Sequence, residues 1–194
     1  MPPKAKISKE MIIEEAFQIV REEGADRITA RRISERLKCS TQPVLYHFAT
    51  VDEIKEATYR RADEYHTGYL MSMDESCQDP MLGIGMNYIR FAMEERNLFQ
   101  FLFHSNEFSG VGLMDLTQIE DLEPVLQVFQ DEAECSEEDV KEIFMTLFIF
   151  VHGYASLLVN NEMDYDEQLL EALLTKVYMG AVYAAKEAKD EEGI

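Results

Sequence analysis

Residues 143–159 read IFMTLFIFVHGYASLLV, and this run limits the possible folds more than any other part of the chain. A bilayer-spanning helix takes about 20 apolar residues; this run is shorter, contains His152 and Gly153, and is flanked by acids. It is therefore expected to be a helix buried on more than one side, because it is apolar around most of its circumference. The following segment repeats the demand, since Leu169, Leu170, Leu173, Leu174, Val177, Val182 and Ala185 cover more than one face. One small domain has too little interior for both. A homodimeric four-helix contact is the economical solution, with Gly153 and Ala155 allowing close approach and Leu157, Leu173, Val177 and Ala181 placed in the interface; the alternative is an unusually large monomeric core.

Apolar residues at helical spacing recur through the rest of the 194 residues, separated by few Gly and Pro, and no stretch alternates for long enough to argue a strand. The expected class is all-α, with about nine helices. Ser8 is expected to cap a helix that stops at Gly24, and Thr29 a short second helix with Ala30, Ile33 and Leu37 inward. Ser40 is expected to cap a third, in which Pro43 is tolerated because the first turn needs no intrahelical N–H. Thr50 and Glu53 form a capping box that opens a long fourth helix over 51–73. After a break at 74–80 the helices resume over 81–96, around 98–105, over 115–133 with an interruption at Pro124, and then as two long ones after Ser136 and Asp166.

Charge divides the chain. Residues 1–66 carry 12 basic and 12 acidic side chains, whereas 67–194 carry 6 and 26, which accounts for the net charge of −20. The acidic part repels nucleic acid and anionic membrane. Within the neutral part, Arg27, Arg31, Arg32, Arg36 and Lys38 stand against Glu35 alone, a place where a polyanion would dock. Three cysteines without ligand spacing (Cys39, Cys77 and Cys135) suggest neither a disulfide framework nor a zinc site. With residues 1–9 polar, no signal peptide is expected, and a soluble protein of the reducing cytoplasm fits best.

Two short helices joined by a tight turn, the second entered through Ser40, have the layout of a helix-turn-helix. In that layout the second helix enters the major groove with its N-terminal residues on base edges. Thr41 and Gln42 then project from its first turn, where Gln can pair with adenine and Thr can meet a thymine methyl or a phosphate. Pro43 stiffens the turn, Tyr46 and His47 are short-reach phosphate donors, and Arg31 and Arg32 can neutralise backbone charge. The plain alternative is an ordinary capped helix with Phe48 and Tyr46 buried.

These residues resemble the N-terminal signature of the TetR-type transcriptional regulators: an apolar helix ending in Gly24, Thr29 to Ser34, a turn into Ser40, then Val44 to Phe48 and Val51 to Ile54. About 50 residues carry the match; the remainder fits by helix count and acidic, Met-rich character. In register with Ser40 and Phe48, the family's phosphate-binding Tyr is replaced by Leu45, with Tyr46 about 100° further around the helix. Val51 stands where the family has Lys, and Lys55 follows four residues later. The resemblance implies DNA contacts at Thr29, Thr41, Gln42, His47, Tyr46 and Lys55, and Ser40 and Pro43 at the entry of the third helix complete the expected contact set. It implies a helix-turn-helix domain over 1–50, linked by the helix 51–73 to a ligand-binding and dimerisation bundle over 74–194. It implies a pocket in the bundle, for which Phe91, Phe103, Phe129, Phe148 and His152 are candidates; a stripe of such residues also serves as plain core.

The expectation is a homodimeric repressor on a pseudo-palindromic double-stranded operator, its recognition helices about one DNA turn (~34 Å) apart. A small, largely apolar molecule would release it by favouring another arrangement. No cofactor, metal or membrane is expected. The acid pairs Glu94-Glu95 and Asp164/Asp166 read as capping and solubility groups, so a non-enzyme is expected. The alternative is a helical protein-interaction or sensor protein whose helix-turn-helix does not bind DNA.

Overall fold

The computed structural model describes residues 7–73, 79–104, 112–118, 122–133, 135–161 and 163–192. Regular structure among them is helical: α1 (Lys9–Glu23), α2 (Ala30–Arg36), α3 (Thr41–His47), α4 (Val51–Met71), α5 (Pro80–Glu94), α6 (Arg96–Phe103), α7 (Glu123–Ala133), α8 (Glu137–Asn161) and α9 (Glu167–Glu192), with 3-10 turns at Ala25–Arg27 and Met114–Gln118. The expected break at 74–80 and the expected loop at 105–112 lie almost wholly outside the described residues. The chain forms two compact units, Met1–Tyr65 with Glu95–Glu107, and His66–Glu94 with Phe108–Ile194. α6 thus groups with the N-terminal unit, where it packs on α1, and its Leu98, Phe99 and Leu102 are fully buried.

In the first unit local chemistry sets each helix end. Ser8 caps α1 by accepting a hydrogen bond from the Met11 amide at 3.3 Å, and Gly24, at φ +90°, ends it. Thr29 caps α2 through the Arg32 amide at 3.0 Å. The turn into α3 is a Schellman motif: the Lys38 amide bonds the Glu35 carbonyl and the Cys39 amide reaches back to Ser34. Lys38 takes the left-handed conformation at φ +54°, where glycine is usual. Ser40 holds the N-cap position of α3 without a side-chain capping bond, a departure from the expected cap. Thr50 caps α4 through the Glu53 amide, but the Glu53 carboxylate returns to the Ala49 amide, one residue earlier than in a standard capping box.

The second unit is a bundle centred on α8, which packs against α5, α7 and α9. Pro124 falls in the first turn of α7 and so begins a helix instead of interrupting one. Ser136 and Asp139 form a reciprocal cap at the start of α8. A Cβ at Gly85 would lie 2.6 Å from Leu174 Cδ2, so the absence of a side chain there sets how closely α5 and α9 approach. α8 is long and apolar enough to cross a membrane by length and composition, but Ile143, Leu147, Val151, Ala155 and Leu158 are buried within the bundle. Its opposite side stays exposed at Ile149 and Leu157, as does α9 at Leu169, Leu173, Met179 and Tyr183. One chain therefore covers only part of the apolar circumference.

Lys38→Gly should raise the unfolding free energy by about 1 kcal/mol, since relief of the left-handed strain outweighs glycine's added unfolded-state entropy. Urea denaturation of both proteins checks this; an unchanged midpoint would contradict the strain argument.

Candidate functional site

α3 is amphipathic in a way that fixes its outer face. Val44 and Phe48, one turn apart, are buried, while Thr41, Gln42, Leu45 and Tyr46 are exposed, Tyr46 by 81%. The alternative with Tyr46 buried is thereby excluded. Pro43 and His47 are half-buried on the flanks. His47 Nε2 lies 3.1 Å from the Ile7 carbonyl, which ties the end of α3 to the chain entering α1, and the Lys9 ammonium sits 5.2 Å from the centre of the Phe48 ring. Ser40 and Thr29 are exposed, with the Thr29 hydroxyl already occupied by its capping bond. Lys55 is half-buried, one turn beyond the exposed Val51.

The arginines do not form the open cationic patch that their sequence density suggests. Arg36 bonds Glu15, Glu22 at 2.7 Å and Glu23 at 3.2 Å. Arg32 reaches Glu23 at 2.6 Å, so its charge is balanced within the fold. Hydrogen bonds from Arg36 and from Arg32 hold the Glu22 and Glu23 carboxyls below the usual carboxylate range, and donation to Glu22 in turn raises the Arg36 pKa. Arg31 remains highly exposed, bonded to Glu35 at 2.9 Å on its own helix. Sequence reading missed these partners because the glutamates, Glu15 and two turns on Glu22 and Glu23, lie on α1, 9 to 21 residues away in the chain.

Glu95 departs from its expected role as a surface acid. It is 7% exposed and accepts bonds from Arg21 Nε at 2.8 Å and from the Tyr65 hydroxyl at 3.0 Å, while Asn97 donates to the Arg21 carbonyl. This network joins α1, α4 and α6 within the first unit.

In the second unit four of the five expected pocket residues belong to one aromatic series. Phe91 packs edge-on against His66, and His66 against Tyr88; the Tyr88 hydroxyl lies 2.8 Å from His152 Nδ1, and Ser156 Oγ is 3.4 Å from His152 Nε2. Phe148 contacts Tyr88 and His152, and Phe144 links Phe148 to Phe129. Phe103 is elsewhere: it packs on Phe99 in the first unit. Burial pushes the His66 pKa down to about 3 and that of Tyr88 well up, so both rings are neutral. His66 escaped the sequence reading, although Ile54, Thr58, Ala62, His66 and Leu70 make a buried stripe at four-residue spacing. A separate cavity of about 520 Å³, lined by Thr117, Gln118, Glu123, Gln127, Gln130 and Lys141 among others, is polar and touches none of the expected pocket residues.

Of the expected interface residues, Gly153, Leu157 and Leu173 lie exposed, Val177 and Ala181 are half-buried, and Ala155 is turned fully inward. Among the described residues, no heavy atom outside its own helix lies within 4 Å of where a Gly153 Cβ would be.

A helix-turn-helix unit with a separate helical bundle defines the class of all-α transcriptional regulators. The sequence profile described as tetracyclin repressor-like, C-terminal domain matches residues 81–177, half of the chain. The chain belongs to the TetR family of transcriptional regulators. No curated protein matches it. Among solved structures, a TetR-family regulator from Streptomyces coelicolor superposes with a TM-score of 0.68 at 16% identity, covering 94% of this chain and 83% of that one. A TetR-like regulator from a Rhodococcus species gives 0.57 at 15%, covering 93% and 100%. The multidrug-binding protein EbrR, solved with ethidium, gives 0.57 at 17%, covering 91% and 99%. At these identities the likeness concerns the fold.

Because the Glu22 and Glu23 pKa values are lowered in the folded state, their contribution is complete above the unfolded carboxylate pKa of about 4.5. It is lost as pH falls through the folded values. Arg36→Ala should therefore lower the melting temperature at pH 7 and flatten the acid loss below about pH 4.5, measured by thermal melts across pH. An unchanged acid limb would show that the cluster adds nothing to folding.

Proposed function

We propose that the protein is a ligand-responsive, DNA-binding repressor that reads a pseudo-palindromic operator as a homodimer in the cytoplasm and is released by a small, largely apolar molecule. The observation that carries this reading is the outward placement of Thr41 and Gln42 on a helix anchored by Val44 and Phe48. Gln42 pairs with adenine, Thr41 and Tyr46 contact base or backbone, and Arg31 with Lys55 supplies phosphate charge. The exposed stripe of Gly153, Leu157 and Leu173 supports pairing through α8 and α9.

The effector reading rests on the aromatic series around Tyr88 and His152. EbrR, complexed with ethidium, shares the fold; Phe148 and His152 here offer an apolar wall with a polar handle for a flat molecule, while Phe91 and Phe129 lie deeper as core. Release requires that the effector bind the two arrangements unequally.

The ion pairing of Arg32 and Arg36 favours a second reading, an interaction or sensor protein whose helix-turn-helix does not bind DNA. Selection from a random duplex pool, followed by titration at several salt concentrations, separates the two. The repressor gives one enriched sequence whose affinity falls steeply with salt; no preference among duplexes at low salt would establish the second reading.

Gln42→Ala should weaken binding of the selected duplex by ~1–3 kcal/mol and relax one base position, whereas Arg31→Ala should weaken all duplexes about equally. A Gln42→Ala protein with unchanged preference would refute this placement of the reading helix. Gly153→Glu with Leu173→Glu should sediment as a monomer, and a surviving dimer would remove α8 and α9 from the interface.

A further inference from the structure

The outer face of α3 carries an apolar side chain that neither helix packing nor hydrogen bonding explains. Leu45 is 57% exposed and stands one turn beyond Thr41, while Tyr46 stands one turn beyond Gln42. The four residues therefore make one continuous face, polar at the N-terminal end and apolar behind it. α3 contains no Lys, Arg, Asp or Glu. The arginine-to-guanine fork, the commonest specific base contact, is thus missing from the reading helix. The neighbouring arginines do not replace it, since Arg32 and Arg36 are held by glutamates of α1 and Arg31, on α2, is assigned above to the phosphates.

What remains for base recognition is an amide at Gln42, hydroxyls at Thr41 and Tyr46, and the Leu45 isobutyl group. In the major groove one base presents an apolar group, the thymine C5-methyl, while adenine presents the acceptor and donor that a glutamine amide matches. We infer that Leu45 is a specificity residue that reads a thymine methyl, and that the base pairs beneath α3 are chiefly A·T. This rests on the DNA-binding reading above. It also gives a reason for leucine at this place: a tyrosine or lysine there would serve a phosphate, which every sequence offers, whereas leucine gains only where a methyl lies opposite.

The test uses the full-length protein and the duplex that it selects from a random pool. Each thymine of a half-site is replaced singly by deoxyuridine, which removes the methyl and leaves the hydrogen-bonding edge intact. At one position beneath α3 the wild-type affinity should fall about fourfold, the value of one buried methyl. Leu45→Ala should bind the thymine duplex more weakly and be indifferent to that same replacement. Because Leu45 is exposed, the variant keeps its fold, checked by its melting temperature, and comparing two duplexes with one protein cancels any loss of active fraction. Indifference of the wild-type protein to every such replacement would overturn the inference, as would a selected half-site without thymine or undiminished sensitivity in Leu45→Ala, while the regulator reading survived. Absence of any preferred duplex for the wild-type protein would overturn that reading, and this inference with it.

Discussion

Burial of Val44 and Phe48 is the constraint on which the proposed reading surface depends. A seven-residue helix has almost no stability of its own, because nucleation costs more than so few hydrogen bonds return. α3 exists because two apolar side chains on one edge are held in the first unit and because the Schellman turn at Lys38 and Cys39 delivers the chain at a fixed angle. Once that edge is inward, Thr41, Gln42, Leu45 and Tyr46 have nowhere to go but out. The bond from His47 to the Ile7 carbonyl secures the far end.

Electrostatics in the same unit serves the scaffold before it serves a polyanion. Arg32 and Arg36 bind α2 to α1 through three glutamates, and Arg21 binds α1 to the start of α6 through the buried Glu95. The pair at Glu95 is costly to break, since that buried carboxylate would lose its partner. The near-zero charge of residues 1–66 is thus largely internal pairing. Under the proposed function, affinity for a duplex then comes from a few remaining cations and from close fit on the outer face of α3.

Much of this was legible in the chain itself, and the failures have physical causes. The cap at Thr29, the stop at Gly24 and the long α8 follow from propensity and periodicity, which are local properties. Tertiary partners were not local. Nothing near Arg36 in the sequence reveals Glu15, and nothing near Glu95 reveals Arg21, 74 residues away. Polar residues in apolar stripes misled in the same way: His66 and Thr58 fit the inward spacing of α4 but carry the wrong chemistry for a sequence-based core. Phe103 neighbours the bundle aromatics in chain order alone, because α6 belongs with α1.

His66 sets a limit on where this molecule keeps its shape. In the folded chain its imidazole resists protonation until about pH 3, whereas in an unfolded chain it gains a proton near pH 6.5. Protons therefore favour the unfolded form throughout that window, by roughly 1.4 kcal/mol for each pH unit below about 6.5. Acid within that window therefore works against the packing of α4 around this ring.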